Sequence, residues 1–275
     1  MLEEITLLNQ LGRYEEAKEK LDAHHFHPWE GGEGKVPAQY QICRVELAKR
    51  LLSEKGTVRS SSARLLPEGR KNSEKFLETS GTSDQGRAAT ALNEAIRLLE
   101  ECLVYPPHLG EGKLYGAQEN DFYFFLGMAY DMKGEKEKAR ECWEKGTAGP
   151  TEPAAAMYYN DAKPDKIFYA ALCYRQLGQE DKARSLFNKL VNYGKQHIFD
   201  HVVMDYFAVS LPDLLIWEDS LDLKNRIHCL YMLALGYYGL YDTDHALRYL
   251  TEVEQLDINH YGTQTFRSII TLLTR

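Results

Sequence analysis

The chain has 275 residues, 44% of them hydrophobic and 18 of them tyrosine, which predicts a folded chain rather than a disordered one. Its net charge of -8 argues against a general nucleic-acid binder, which needs a basic face. No apolar run reaches membrane-spanning length, and the acidic start MLEEITLLNQLGRYEEA lacks the basic opening and small-residue cleavage site of a signal peptide.

In chain order, Gly12, Ala17 and Leu21 mark the turn and second helix of a first helical hairpin. A Gly- and Pro-rich loop, HHFHPWEGGEGKVPAQ, leads to a helix predicted over about 38–55. Residues 57–87 are rich in Ser, Gly, Lys and Arg without apolar period, and are expected to form a flexible insertion that splits the second hairpin. Ala95, Leu99 and Cys102 resume the pattern in a helix over about 88–104. After a second long loop, YPPHLGEGKLYGAQEND, comes the clearest hairpin: Tyr123, Leu126, Gly127 and Tyr130, a turn at Gly134, then Ala139 and Trp143. Tyr174, Gly178, Ala183 and Phe187 repeat this spacing after a third loop over 147–165. An apolar helix is expected at 197–210 and a turn-rich link at 211–225. A last hairpin carries Leu233, Tyr237, Ala246 and Leu250, with Tyr241 where a turn glycine is expected, and a closing helix follows over 263–273.

Aromatic, Leu-Gly and Tyr on one helix, then Ala-x-x-x-aromatic on the next, is the tetratricopeptide pattern. Small residues let two antiparallel helices approach, and one hairpin cannot bury its own apolar face without stacked neighbours. The predicted fold is therefore all-α: a single right-handed α-solenoid over 1–275, of about five tetratricopeptide-like hairpins joined by long inter-repeat loops. Ala95 to Ala139 and Ala139 to Ala183 are each 44 residues apart, and the excess over the usual period of about 34 lies in the loops.

Those loops hold the candidate binding residues. Gly32-Glu33-Gly34-Lys35 and Gly110-Glu111-Gly112-Lys113 share a word, and each is expected to precede a helix start, where free N–H groups and a Lys could hold an anion or a polar ligand. Neither is a Walker loop, since no Ser or Thr follows the Lys. The plain alternative is turn geometry with a local Glu–Lys pair. Trp29, beside Glu30 and Glu33, could stack on a sugar ring or anchor its loop. Asn120, Asp121, Asn160 and Asp161 read first as helix caps, with a free carboxylate oxygen left for a ligand. Asp165, Arg175 and His228 are placed on first helices lining a concave face, with Phe124, Met128, Asp131, Phe168, Tyr231 and Tyr238. A terminal helix covering that face is the competing reading.

His24, His25 and His27 crowd together without matched ligands, so no metal and no cofactor is expected. Five scattered cysteines suit reduced thiols in a cytoplasmic protein. The glutamates admit a glycosidase reading, but no nucleophile motif is present and no catalytic residue can be named.

HPWEGGEGK, LGEGKL with QEND, and DYFAVSLPDLLIWEDSLDLKNRIHCLYMLALGY resemble the tetratricopeptide region at the C-terminal end of large bacterial proteins that carry an aldose-epimerase-like domain of unknown function. The resemblance implies a carbohydrate-related context and a partner domain that this sequence does not contain. The chain is accordingly expected to be a protein- or ligand-binding scaffold, more a binding module than an enzyme. A loop-borne contribution to carbohydrate binding or glycoside hydrolysis is the alternative, and a free-standing hydrolase ranks third.

Overall fold

The computed structural model describes residues 1–53, 82–155, 163–203 and 220–274, and all regular elements among them are helical. They are α1 (Leu2–Gln10), α2 (Tyr14–Ala23), α3 (Lys35–Ser53), α4 (Thr82–Glu101), α5 (Asn120–Lys133), α6 (Lys136–Gly146), α7 (Pro164–Gln176), α8 (Glu180–His197), α9 (Leu221–Gly239), α10 (Thr243–Leu256) and α11 (Tyr261–Thr274). A single 3-10 turn, Pro107–Leu109, interrupts the second long loop. The chain divides into two compact units: Met1–Tyr115 with Phe122–Trp143 and Arg267–Arg275, and Gly116–Asp121 with Glu144–Phe266.

In the first unit α1 pairs with α2, both pack on α3, and α3 packs on α4. Gly12 turns the first hairpin at φ 71°, a conformation that costs glycine little. Ile5, Leu8, Ala17, Leu21, Val36, Tyr40 and Cys43 form one buried cluster with Phe26 and Leu109, so the core reaches into both long loops. Arg44 on α3 is 2% exposed and ties two further helices to its own. Its guanidinium donates to Asp22 Oδ1 on α2 at 2.5 Å and to Glu101 Oε2 on α4 at 2.9 Å, and stacks 3.4 Å over Tyr40. In the α5–α6 hairpin, Ala139 and Trp143 are buried as their spacing predicts, and Gly127 faces the indole.

In the second unit α7 packs on α8 and α9, α8 on α9, and α9 on α10. Helices α8 and α9 meet across glycine: a Cβ at Gly236 would fall 2.6 Å from Val191 Cγ2, and one at Gly239 2.1 Å from Phe187 Cδ1. Tyr241, at the position expected for a turn glycine, adopts the left-handed conformation itself with φ 68°. Arg175 offsets that strain. Its guanidinium lies 4.4 Å over the Tyr241 ring, donates to Gly239 O at 2.7 Å, and grips Glu180 with two bonds of 2.8 Å.

Several sequence expectations shift. Helix α4 begins at Thr82, so the last residues assigned to the insertion are helical; the other residues of 57–87 lie outside those described. Helix α8 ends at His197 and residues 198–203 are not helical, which removes the start of the helix expected over 197–210; its remainder lies outside the described residues. Phe124, Met128, Phe168 and Tyr231 are buried, not exposed along a concave face. Helices covered on two sides bury more than one stripe: α7 lies against α8 and α9, and α9 against α7, α8 and α10.

Candidate functional site

The two long loops of the first unit are bonded to each other. Phe26 N–H donates to His108 O at 2.8 Å, and Gly34 N–H donates to Glu111 Oε2 at 2.7 Å. Between these bonds Gly110, at φ 73°, presses against the Phe26 and His27 carbonyl oxygens, which a Cβ would approach to 2.8 and 2.7 Å. Phe26 and Leu109 plug the junction from beneath, and His108 lies edge-on to Tyr40 and to His25. The shared word thus forms a clasp between residues 26–34 and 108–111.

The two copies of the word do different work. The first ends in a helix, since Lys35 opens α3, and its spare N–H at Gly34 is taken by Glu111. The second does not precede a helix start: Gly110 closes the 3-10 turn and no helix resumes until Asn120. Its Glu111 is spent on the other loop, and its Lys113 Nζ reaches Leu103 O at 3.3 Å. The Glu111 carboxylate is held above the usual range, chiefly by burial and also by Glu33; the Gly34 N–H pulls the other way. Its Oε1 is buried without a hydrogen-bond partner. Burial likewise lowers the pKa of His108, whose Nε2 is buried and unpartnered.

Above the clasp, Trp29 is 66% exposed and sits at φ 55°, a sparsely populated conformation for a bulky residue. Glu30 fixes the start of that turn by accepting from His27 N–H at 3.3 Å. Glu33 and Lys35 are exposed on the same loop, and Lys113, Leu114 and Tyr115 are exposed on the second. Backbone strain of this kind persists only where surrounding contacts hold it, and it gathers at functional positions.

The other candidates lie in the second unit and serve as fasteners. Asn120 is 4% exposed, and its Nδ2 donates to Gly146 O at 2.9 Å and Ala148 O at 2.7 Å. It satisfies carbonyls at and just beyond the end of α6 and does not cap α5. Asp121 pairs with Lys166 Nζ at 2.5 Å, joining the start of α5 to that of α7. Arg175 is the clamp described above. His228 Nε2 donates to Ala154 O at 2.8 Å, and burial lowers its pKa. Asp165 stands in the first turn of α7 with Oδ1 buried and unpartnered. Asn160 and Asp161 lie outside the described residues.

Residues that the sequence did not single out complete the clasp: Phe26, His108 and Leu109. Their only signal was the apolar pair Phe26 and Leu109 inside loops rich in Gly, Pro and charged residues. Among the described residues no group of three or more His, Cys, Asp or Glu could hold a metal ion, and no helix is long and apolar enough to cross a membrane.

Residues 167–193, the α7–α8 hairpin, match the tetratricopeptide repeat family. Repeats of this kind generally mediate contacts between proteins. No solved structure matches the chain.

Proposed function

We propose that this chain is a non-catalytic binding scaffold, a right-handed α-solenoid of about five hairpins, and that it docks a partner through the clasped loops of its first unit. The observation that carries this reading is Trp29: a large apolar side chain held out to solvent, in a strained conformation, on a loop fixed at several points. Aromatic anchors on rigid supports dominate the energetics of protein interfaces, and a loop already ordered loses little entropy on binding. The resemblance noted above points to an aldose-epimerase-like domain as the partner, in a bacterial, carbohydrate-related setting. Five free thiols, four of them buried, suit the cytoplasm.

The test is binding of the full chain to such a domain, measured by titration calorimetry with Trp29→Ala and Lys35→Ala. Both variants should melt like the parent. Trp29→Ala should weaken binding by at least tenfold, the scale of an anchor residue. Unchanged affinity in Trp29→Ala would defeat the docking edge.

A second reading rests on the carboxylates flanking the same side chain. Trp29 with Glu30 and Glu33 has the makings of a sugar platform, an apolar face beside hydrogen-bond acceptors. Quenching of Trp fluorescence by an oligosaccharide series, lost in Trp29→Phe with Glu33→Ala, would favour it over the protein partner.

A further inference from the structure

The N-terminus of α11 is closed by a histidine. Thr263 N–H donates to His260 Nδ1 at 3.1 Å, the bond that a Ser, Asp or Asn oxygen usually accepts at an N-cap. The Thr263 hydroxyl lies 2.7 Å from the same nitrogen, and Thr263 is fully buried. The same N–H also reaches His260 O at 3.1 Å, so it is shared between the two acceptors, and it meets the ring only while Nδ1 keeps its lone pair and the proton sits on Nε2. From α9, Tyr231 holds the same turn: its hydroxyl donates to Gly262 O at 3.0 Å, and its ring meets the His260 ring edge-on at 4.8 Å. One turn further along α11, Phe266 packs on Phe168 at 5.2 Å and Tyr238 at 5.3 Å.

We propose that His260 is a proton-operated latch, closing the first turn of α11 as a neutral ring and opening it as an imidazolium, which uncovers the Phe168–Tyr238 face of the second unit. A protonated Nδ1 sets one donor against another at the Thr263 N–H, and is left with the Thr263 hydroxyl as its acceptor. It also places a positive charge at a helix N-terminus, against the macrodipole. The groups facing the ring oppose one another. Asp165 on α7 and Asp257 in the turn before α11 favour the charged form, while burial disfavours it and is the largest effect, so the pKa lies below the ordinary histidine value. His228 on α9 adds like charge once protonated, and Lys163 faces His228. The Tyr231 phenol, pushed well above its ordinary range by burial, stays neutral throughout.

The experiment is hydrogen exchange of the Thr263–Phe266 amides in the full chain between pH 7.5 and 5.5, corrected for intrinsic rates, in the parent and in His260→Asn. Asparagine supplies a cap oxygen that does not titrate. In the parent, protection should fall by about fivefold or more at the acid end, the size of one lost N-cap; in His260→Asn it should stay level. An equal loss in both proteins, or no loss in the parent, overturns the latch. Should His260→Asn not fold, the His260 ring is titrated by NMR in the parent. The loss of protection must then follow that titration, and a midpoint that follows His228 instead also overturns the proposal.

Discussion

Gly127→Ala should destabilise the first unit, although alanine is the better helix former. A Cβ at position 127 would stand 2.2 Å from Trp143 Nε1 and 2.5 Å from its Cδ1, far inside van der Waals contact. The indole has little room to retreat, since it is 6% exposed and donates to Phe124 O at 3.3 Å. Removing a glycine from a helix interior gains about 1 kcal/mol in propensity. Overpacking costs about 1–3 kcal/mol, and losing the indole hydrogen bond costs about 1 kcal/mol more. The net expectation is a loss of about 1–3 kcal/mol, with Gly127→Leu worse. Urea unfolding followed by circular dichroism measures it, provided the slope is unchanged. The same substitution in a Trp143→Leu background should cost clearly less, because the clashing ring is gone. A neutral or stabilising Gly127→Ala, or one equally costly in both backgrounds, would refute the packing argument.

Glu111 separates hydrogen bonding from charge. Glu111→Gln keeps an acceptor for Gly34 N–H and removes a carboxylate whose ionisation burial opposes, so thermal melting should be unchanged or slightly raised, whereas Glu111→Ala should lose about 1–2 kcal/mol through the orphaned N–H. Arg175→Ala should cost about 2 kcal/mol in chemical denaturation, less than a wholly buried pair would, because Glu180 is 40% exposed and can rehydrate while Gly239 O is left without its donor. Acid should weaken the second unit. Burial holds folded His228 below the unfolded value of about 6.5, so as pH falls through that value the unfolded chain takes up the proton first and stability is lost. Urea midpoints at pH 7.5 and 5.5 should therefore diverge in the parent and diverge less in His228→Gln; an identical pH response would rule out His228 as a source.

The hairpins were legible because their constraints are local. Gly12, Gly134 and Gly178 all take positive φ at the turns, and Ala139, Ala183, Phe187, Ala246 and Leu250 are buried at the expected spacing. The clasp was half legible. A repeated word drew attention to Glu111 and Gly34, but no local pattern encodes a bond between residues 77 positions apart, and equivalence of sequence suggested equivalent roles that the fold does not give them. The groove residues failed for a different reason. A period of 3.6 locates a buried stripe, yet it cannot say that the opposite stripe is also covered, as it is at Phe168, where Phe266 packs. Asn120 sits where a cap would stand, but its amide turns to the carbonyls at the end of α6, later in the chain, a choice set by packing.

Arg44 has one further consequence. By gripping α2 and α4 from α3, it ties the helices on either side of the connection between α3 and α4 to one another through side chains. Lengthening such a connection costs only about 0.6 kcal/mol per doubling. An insertion between Ser53 and Thr82 should therefore shift the melting point little. A chain severed there should reassemble from its two fragments, which makes this junction a natural place to hang a reporter or a second domain.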